Sequence, residues 1–345
     1  MRRSFSMTLK EIAKRAGVSV STVSRIINSE DGNFARKEIR DKVWEIIRET
    51  EYVPNQSAIQ LKQNKNGKVK VPLTITCILG RTRNLEDNPF FAQVARAVEQ
   101  KALSLGYVIS LSYSVLDITN LDLLKKIESV KTDGAIVIGR FEMGTIKFLK
   151  AHYKNIVYVG RNVIDADLDQ VICDGYEATR EALNYLIQCG HKRIGYIGET
   201  VNEARYNAYI NIASKKKLEY DNSIVCSCPQ NGAGGYQGAD MLLKKAKPLP
   251  TAVFCATDVT AIAAIRRFTE AGIKIPEDIS VIGMDDIELA GYVSPMLTTI
   301  GMPKSELGNI AVQTLVNRMN KNHKLPMKIF LPYKLAIRES VAKHI

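Results

Sequence analysis

The residues most able to do recognisable chemistry lie in the first thirty positions. Val20, Ser21, Thr22, Ser24 and Arg25 gather at the start of a short helical period. A guanidinium there can donate a bidentate pair to a guanine edge, hydroxyls can reach bases or phosphates, and a valine can pack on a thymine methyl. The alternative for the same segment is a generic capped helical hairpin whose polar residues are merely solvated. The remaining reactive groups point away from catalysis: no Ser/His/Asp set, metal cluster or pair of catalytic carboxylates stands at a recognisable spacing, so no enzyme, cofactor or metal is expected. Six cysteines are scattered, and only Cys226 and Cys228 lie close, with no second pair to complete a tetrahedral set. They read as reduced thiols in packed strands.

Other chemistry-bearing residues have structural readings. Asp258 and Asp286 follow apolar runs, where helix capping is at least as good an account as ligand contact. His191, in Gly-His-Lys-Arg-Ile, reads as a structural turn. Gly232, Gly234, Gly235 and Gly238 lack the strand-glycine-helix order of a nucleotide site and read as a loop entering a helix.

The elements that would position Arg25 follow from periodicity. Leu9, Ile12, Ala13 and Ala16 share one helix face, with Thr8 as N-cap and Glu11 completing a capping box. Gly17 supplies a tight turn, Ser19 caps the next helix, and Val20, Val23, Ile26 and Ile27 recur at helical spacing. A third helix, Arg36 to Glu49, is expected to bury Ile39, Val43, Trp44, Ile46 and Ile47. The spacing Ala13-x3-Gly17-x5-Val23 is that of a helix-turn-helix: a small residue for close crossing, a glycine for the turn and a valine for the shared core.

Beyond a Lys/Asn/Gly run at 64–70 the pattern changes to apolar strands alternating with helical periods: 73–79, 107–113, 135–138, 156–159, 194–197, 253–255, 279–284 and a last one near 328–337. Such alternation predicts parallel sheets covered on both faces, with too many strands for one sheet, hence two α/β lobes. The net charge of +12 is uneven: residues 1–70 hold 15 basic and 8 acidic side chains, giving +7. A compact basic segment attracts phosphate backbone, although an acidic membrane would attract it too. Arg2 and Arg3 are followed by no apolar run, and no eighteen-residue apolar stretch occurs, so a soluble, non-exported, cytoplasmic protein is expected.

With these residues in place, the chain resembles the LacI/GalR repressor family. The resemblance runs through Thr8-Leu9-Lys10-Glu11-Ile12-Ala13, Gly17 to Arg25 and Asn28, Tyr52-Val53-Pro54-Asn55, Gly190 to Ile194, Ile275 to Gly283, Asp285-Asp286 and Pro295 to Ile300. It implies a helix-turn-helix head at 1–54, a hinge helix and linker at 55–69, and a two-lobed, periplasmic-binding-protein-like effector-binding and dimerisation domain at 70–345. The N-lobe would take 70–173 plus 303–331, the C-lobe 174–302 plus 332–345, with three crossing strands between them. DNA contacts implied are Thr8, Leu9, Ser19, Val20, Ser21, Thr22, Ser24, Arg25, Asn28, Tyr52, Asn55, Ala58 and Leu61, the last wedged into the minor groove. Effector contacts implied are Phe90, Gly160, Arg205, Thr257 and Asp285, with a mono- or disaccharide as the ligand.

Departures from the family pattern are a longer loop at 29–33, Arg36 in place of the usual third-helix cap, Gly160 where an acid is common, Ala208 for a glycine and Met302 for a residue polar in some members. The identity of the effector is therefore not carried over. The expected function is a homodimeric repressor of carbohydrate-utilisation genes that a sugar releases from double-stranded operator DNA. Alternatives are a co-repressor-dependent regulator, or a sugar-binding protein without a DNA role. Helices 90–104 and 304–319, whose apolar faces exceed what one sheet needs, are the expected dimer surfaces.

Overall fold

In the computed structural model the described residues are 8–28, 35–50, 73–80, 88–114 and 132–344. The chain separates into two compact units, Met1–Val71 and Pro72–Ile345.

The first unit holds α1 (Leu9–Ala16), α2 (Val20–Asn28) and α3 (Lys37–Glu49). Thr8 and Glu11 form the expected capping box, with the Thr8 amide donating to Glu11 Oε2 at 2.7 Å and the Glu11 amide to Thr8 Oγ1 at 3.3 Å. Gly17 ends α1 in the left-handed region, φ 72°, which a side chain would strain. Ile12, Ala13, Ala16, Val23, Ile26, Val43 and Ile46 form a small separate core. Trp44 departs from expectation and is 43% exposed. One residue on from Val43, it is rotated about 100° off the buried face that Val43 and Ile46 share. Arg36 stands at the N-cap of α3 without a side-chain capping bond.

The second unit is built on two six-stranded sheets. One orders β11-β5-β4-β3-β1-β2, from β1 (Thr74–Leu79), β2 (Val108–Ser114), β3 (Gly134–Ile138), β4 (Ile156–Gly160), β5 (Asp169–Ile172) and β11 (Lys328–Phe330), all parallel. The other orders β12-β10-β9-β8-β6-β7, from β6 (Ile194–Gly198), β7 (Val225–Ser227), β8 (Ala252–Cys255), β9 (Ser280–Asp285), β10 (Thr298–Gly301) and β12 (Lys334–Ala336). Among the described strands only β12 runs antiparallel, against β10. The two sheets thus repeat one doubly wound topology, whose ligand crevice lies beyond the strand C-termini.

The chain passes between the lobes three times. After β5 it enters α6 (Gly175–Gln188), which packs toward β8 and β10; after β10 it enters α10 (Lys304–Met319), which covers β3, β4 and β5; after β11 it returns to β12. The expected single strand at 328–337 is therefore two strands in different sheets. Pro332 lies between them and cannot donate to either ladder.

Much of the apolar surplus on 304–319 and on α4 (Pro89–Ser104) is used inside the chain. Gly308 lets the two helices meet so closely that a Cβ would come within 2.8 Å of the Val94 carbonyl oxygen. At the far end of α10, fully buried Asp169 accepts bonds from Arg318, from His323 Nε2 at 2.9 Å and from the Met327 amide at 2.8 Å, fastening the turn into β11.

Candidate functional site

On α2 the side chains of Val20, Ser21 and Arg25 are exposed, while Val23 and Ile26 face the core. Ser19 accepts from the Thr22 amide at 3.1 Å and pairs with the Ser21 and Thr22 hydroxyls, so the first turn is capped from within and its outer face is left to solvent. Thr8 and Leu9 stand at the start of α1, and Asn28 is the last residue of α2. Ser24 is half-buried. Tyr52, Asn55, Ala58 and Leu61, and the loop at 29–33, lie outside the described residues.

Between the lobes a cavity of about 300 Å³ opens at the C-terminal ends of both sheets. Gly80 follows β1, Gly139 and Arg140 follow β3, Arg161 and Asn162 follow β4, Glu199 follows β6, and Pro229 and Gln230 come just beyond β7. Glu203 caps α7 (Ala204–Lys215), accepting from the Arg205 amide, and Arg205 folds back over it. Arg205 Nε donates to Glu203 Oε1 at 2.8 Å, Nη2 to Glu203 Oε2 at 3.0 Å and to Gln230 Oε1 at 2.6 Å, and Nη1 to the Ala256 carbonyl at 2.5 Å. Burial disfavours the Glu203 charge, but Arg205 outweighs it and holds the carboxyl down at about 2.

Two further arginines cross from the N-lobe to acids of the C-lobe. Arg140 donates to Glu199 at 3.2 Å and to the Val201 carbonyl at 2.9 Å, and its guanidinium also lies 3.5 Å from Glu203. Arg161, 8% exposed, is ion-paired with Asp285, which is 2% exposed, and its guanidinium carbon sits 4.1 Å from the Phe90 ring centroid. Burial raises the Asp285 pKa, opposed by Arg161, Arg205 and Lys304.

Asp285 and Asp286 adopt consecutive positive φ angles, 130° and 52°. Lys304 Nζ holds this strained corner by donating to both carbonyls at 2.7 Å, and Arg338 holds the Asp286 carboxylate at 2.6 Å. Asp258 is buried next to them, accepting from Thr299 Oγ1 at 2.5 Å and the Ile287 amide at 2.9 Å, and burial with Asp285 nearby raises it to about 7.

Of the five effector contacts expected, Arg205 lines the cavity. Asp285 and Phe90 lie behind Arg161, and Phe91 is the phenylalanine on the wall. Gly160 and Thr257 are not on the wall. The Tyr158 hydroxyl fills the place of a side chain at 160, while Thr257 is the N-cap of α9 (Asp258–Glu270), accepting from the Thr260 amide at 3.2 Å. The capping expected of Asp258 is thus done by its predecessor, and neither Asp258 nor Asp286 caps a helix.

His191 is a buried structural residue bonded to Thr251 and the Ala342 carbonyl. Among the described residues no cluster could hold a metal ion. Sequence reasoning missed Arg140, Arg161, Asn162, Glu199, Glu203 and Gln230. For the first four the usable signal was position, two or three residues past the end of a predicted strand.

The family described as bacterial regulatory proteins, lacI family, matches residues 8–55, and the periplasmic binding protein-like domain matches residues 183–341. A ribose operon repressor of Haemophilus influenzae is 33% identical, over 97% of this chain and 98% of its own. The HTH-type transcriptional repressor PurR of Yersinia pestis bv. Antiqua is 32% identical over 97% of each chain. A solved transcriptional regulator CelR-cellobiose complex superposes with a TM-score of 0.71 at 26% identity, covering 97% of this chain and 99% of that one.

Proposed function

Because this chain belongs to the lacI family of bacterial regulatory proteins, we propose that it represses carbohydrate-utilisation genes and is released from its operator by a sugar bound between the lobes. The observation that carries this reading is a polar cavity walled by both lobes, in the same chain as a helix-turn-helix whose Val20, Ser21 and Arg25 are exposed. Arg25 and its neighbours read the major groove, with Thr8, Leu9, Ser19, Thr22, Ser24 and Asn28 around them. Tyr52, Asn55, Ala58 and Leu61 extend the contact by family resemblance.

A ligand that touches both walls favours one lobe arrangement, and that differential affinity is what operator binding senses. The acids of the cavity suit binding rather than catalysis: Glu203, held at about 2, is no proton donor near neutral pH. The protein acts as a homodimer on a pseudo-palindromic site, with exposed Leu289 on the Val259 and Ile262 groove as apolar surface for a second copy. Among the described residues no helix is long and apolar enough to cross a membrane; the proposed repressor role is one that a cytoplasmic protein performs.

The test is recovery of bound genomic fragments followed by anisotropy titration. A two-fold-related site is expected, with affinity falling steeply between about 50 and 200 mM salt. A protein that enriches no such site contradicts the reading.

A further inference from the structure

We infer that Arg161 and Asn162 read the ligand from the N-terminal lobe and select a neutral polyhydroxyl compound over a sugar phosphate or sugar acid. The inference rests on the sugar reading above and adds to it a chemical class and two recognising atoms.

Both residues directly follow β4 and line the cavity. Arg161 spends its outer nitrogen Nη2 on Asp285 and its planar face on Phe90, yet its Nε is buried with no hydrogen-bond partner among the described residues. Asn162 Oδ1 is buried and unpartnered in the same way. A buried donor or acceptor without a partner is unfavourable for folding, and such groups persist where a bound molecule completes them. Position 160, one residue earlier on the strand, can offer nothing, because the Tyr158 hydroxyl occupies the space a side chain there would need. Recognition from this strand end therefore falls to the next two residues.

The pair consists of one donor and one acceptor. A sugar hydroxyl can accept from Arg161 Nε and another, or the same one, can donate to Asn162 Oδ1. A phosphate or carboxylate oxygen can accept from the arginine but meets the amide oxygen acceptor to acceptor.

Charge points the same way. Among the described residues each guanidinium at the cavity already faces a carboxylate: Arg140 with Glu199, Arg205 with Glu203, and Arg161 with Asp285. Among the described residues an entering anion would find no unmatched cation, and two glutamates on the wall. Phe91 contributes an apolar surface suited to the C–H face of a sugar ring.

The experiment is calorimetric titration of the full-length protein with matched pairs: ribose and ribose 5-phosphate, glucose and glucose 6-phosphate, cellobiose and cellobiose 6-phosphate. Wild type is compared with Asn162→Leu, which keeps the volume and removes the acceptor, and Arg161→Lys, which keeps the charge opposite Asp285 and removes Nε. At least one neutral sugar should bind about tenfold or more tighter than its phosphate, and each substitution should weaken it about tenfold or more; ligand-free melting is measured for both variants, and only binding lost by a variant that still melts cooperatively as a folded protein counts toward the inference. A phosphate that binds as tightly as its neutral partner overturns the inference. So does a neutral sugar held by both variants within about twofold of wild type, since the two atoms would then be met by water alone. Either result leaves the sugar reading intact, whereas wild type that binds none of the six compounds sinks that reading together with this one.

Discussion

In the head, the most exposed side chains with chemistry, Val20, Ser21 and Arg25, sit on the outer face of one short helix, and the core beneath them is a handful of aliphatic residues. In the cavity, the side chains with chemistry come from the ends of separate strands in two sheets, are buried or half-buried, and hold one another in place through Arg140, Arg161, Arg205 and their acids. Function and stability are therefore separable in the head and fused in the cavity, because a buried charge relies on its partner whereas an exposed one relies on water. Single substitutions can break or sharpen this contrast.

The largest effect is expected for Asp285→Ala, which strands Arg161 in a buried site without its carboxylate. Unfolding of the two-lobed unit in urea should show a loss of about 3–5 kcal/mol. A loss under about 1 kcal/mol would mean that the ion pair is not what joins the lobes there.

Next comes pH. Asp258 is raised from 3.8 to about 7 in the folded protein, so the native state keeps a proton that the unfolded chain has lost. Stability should fall as pH rises through that window and level off above about 7. Glu203, lowered from 4.5 to about 2, works in the opposite sense: its contribution is present above 4.5 and lost as pH falls toward 2. Asp258→Asn should flatten the decline between pH 5 and 8, a difference of roughly 2–4 kcal/mol by urea unfolding at the two pH values. An unchanged slope would assign the decline to other groups.

Arg25→Ala should weaken binding to the selected operator by about 1–3 kcal/mol and relax its base preference, with no change in melting of either unit. Loss of melting temperature along with affinity would show that the reading face also carries stability. The smallest effect, a few tenths of a kcal/mol at most, is expected for Lys150→Ala, which removes an exposed ion pair with Asp167 at 3.2 Å.

How much of this could be read beforehand follows the same division. The head is written in local code: a capping box three residues wide, a glycine at a turn, and apolar residues three and four apart, all of which the structure keeps. Trp44 is apolar yet exposed, because its helical angle takes it off the face of Val43 and Ile46. The alternation of strands and helices was equally legible. The split at Pro332 is signalled in the sequence by a residue that cannot pair, set within an apolar run.

The cavity was legible only in outline. Arg205 could be placed, but its partners could not. Arg140 and Glu199 are 59 residues apart and Arg161 and Asp285 are 124 apart, so no window of sequence contains either pair. What the chain does display locally is that Arg140, Arg161 and Glu199 each come just after a strand, which marks the crevice without naming who faces whom.

The account rests on one claim, that a sugar held between the lobes governs what the head does on DNA. Its most direct test is an anisotropy titration of labelled operator with the neutral sugar identified by calorimetry, using wild type and Asn162→Leu in parallel. Release of the wild type at a sugar concentration that matches cavity binding, with the variant needing about tenfold more, is the predicted result. Operator affinity that stays constant, or strengthens, at saturating sugar would contradict it.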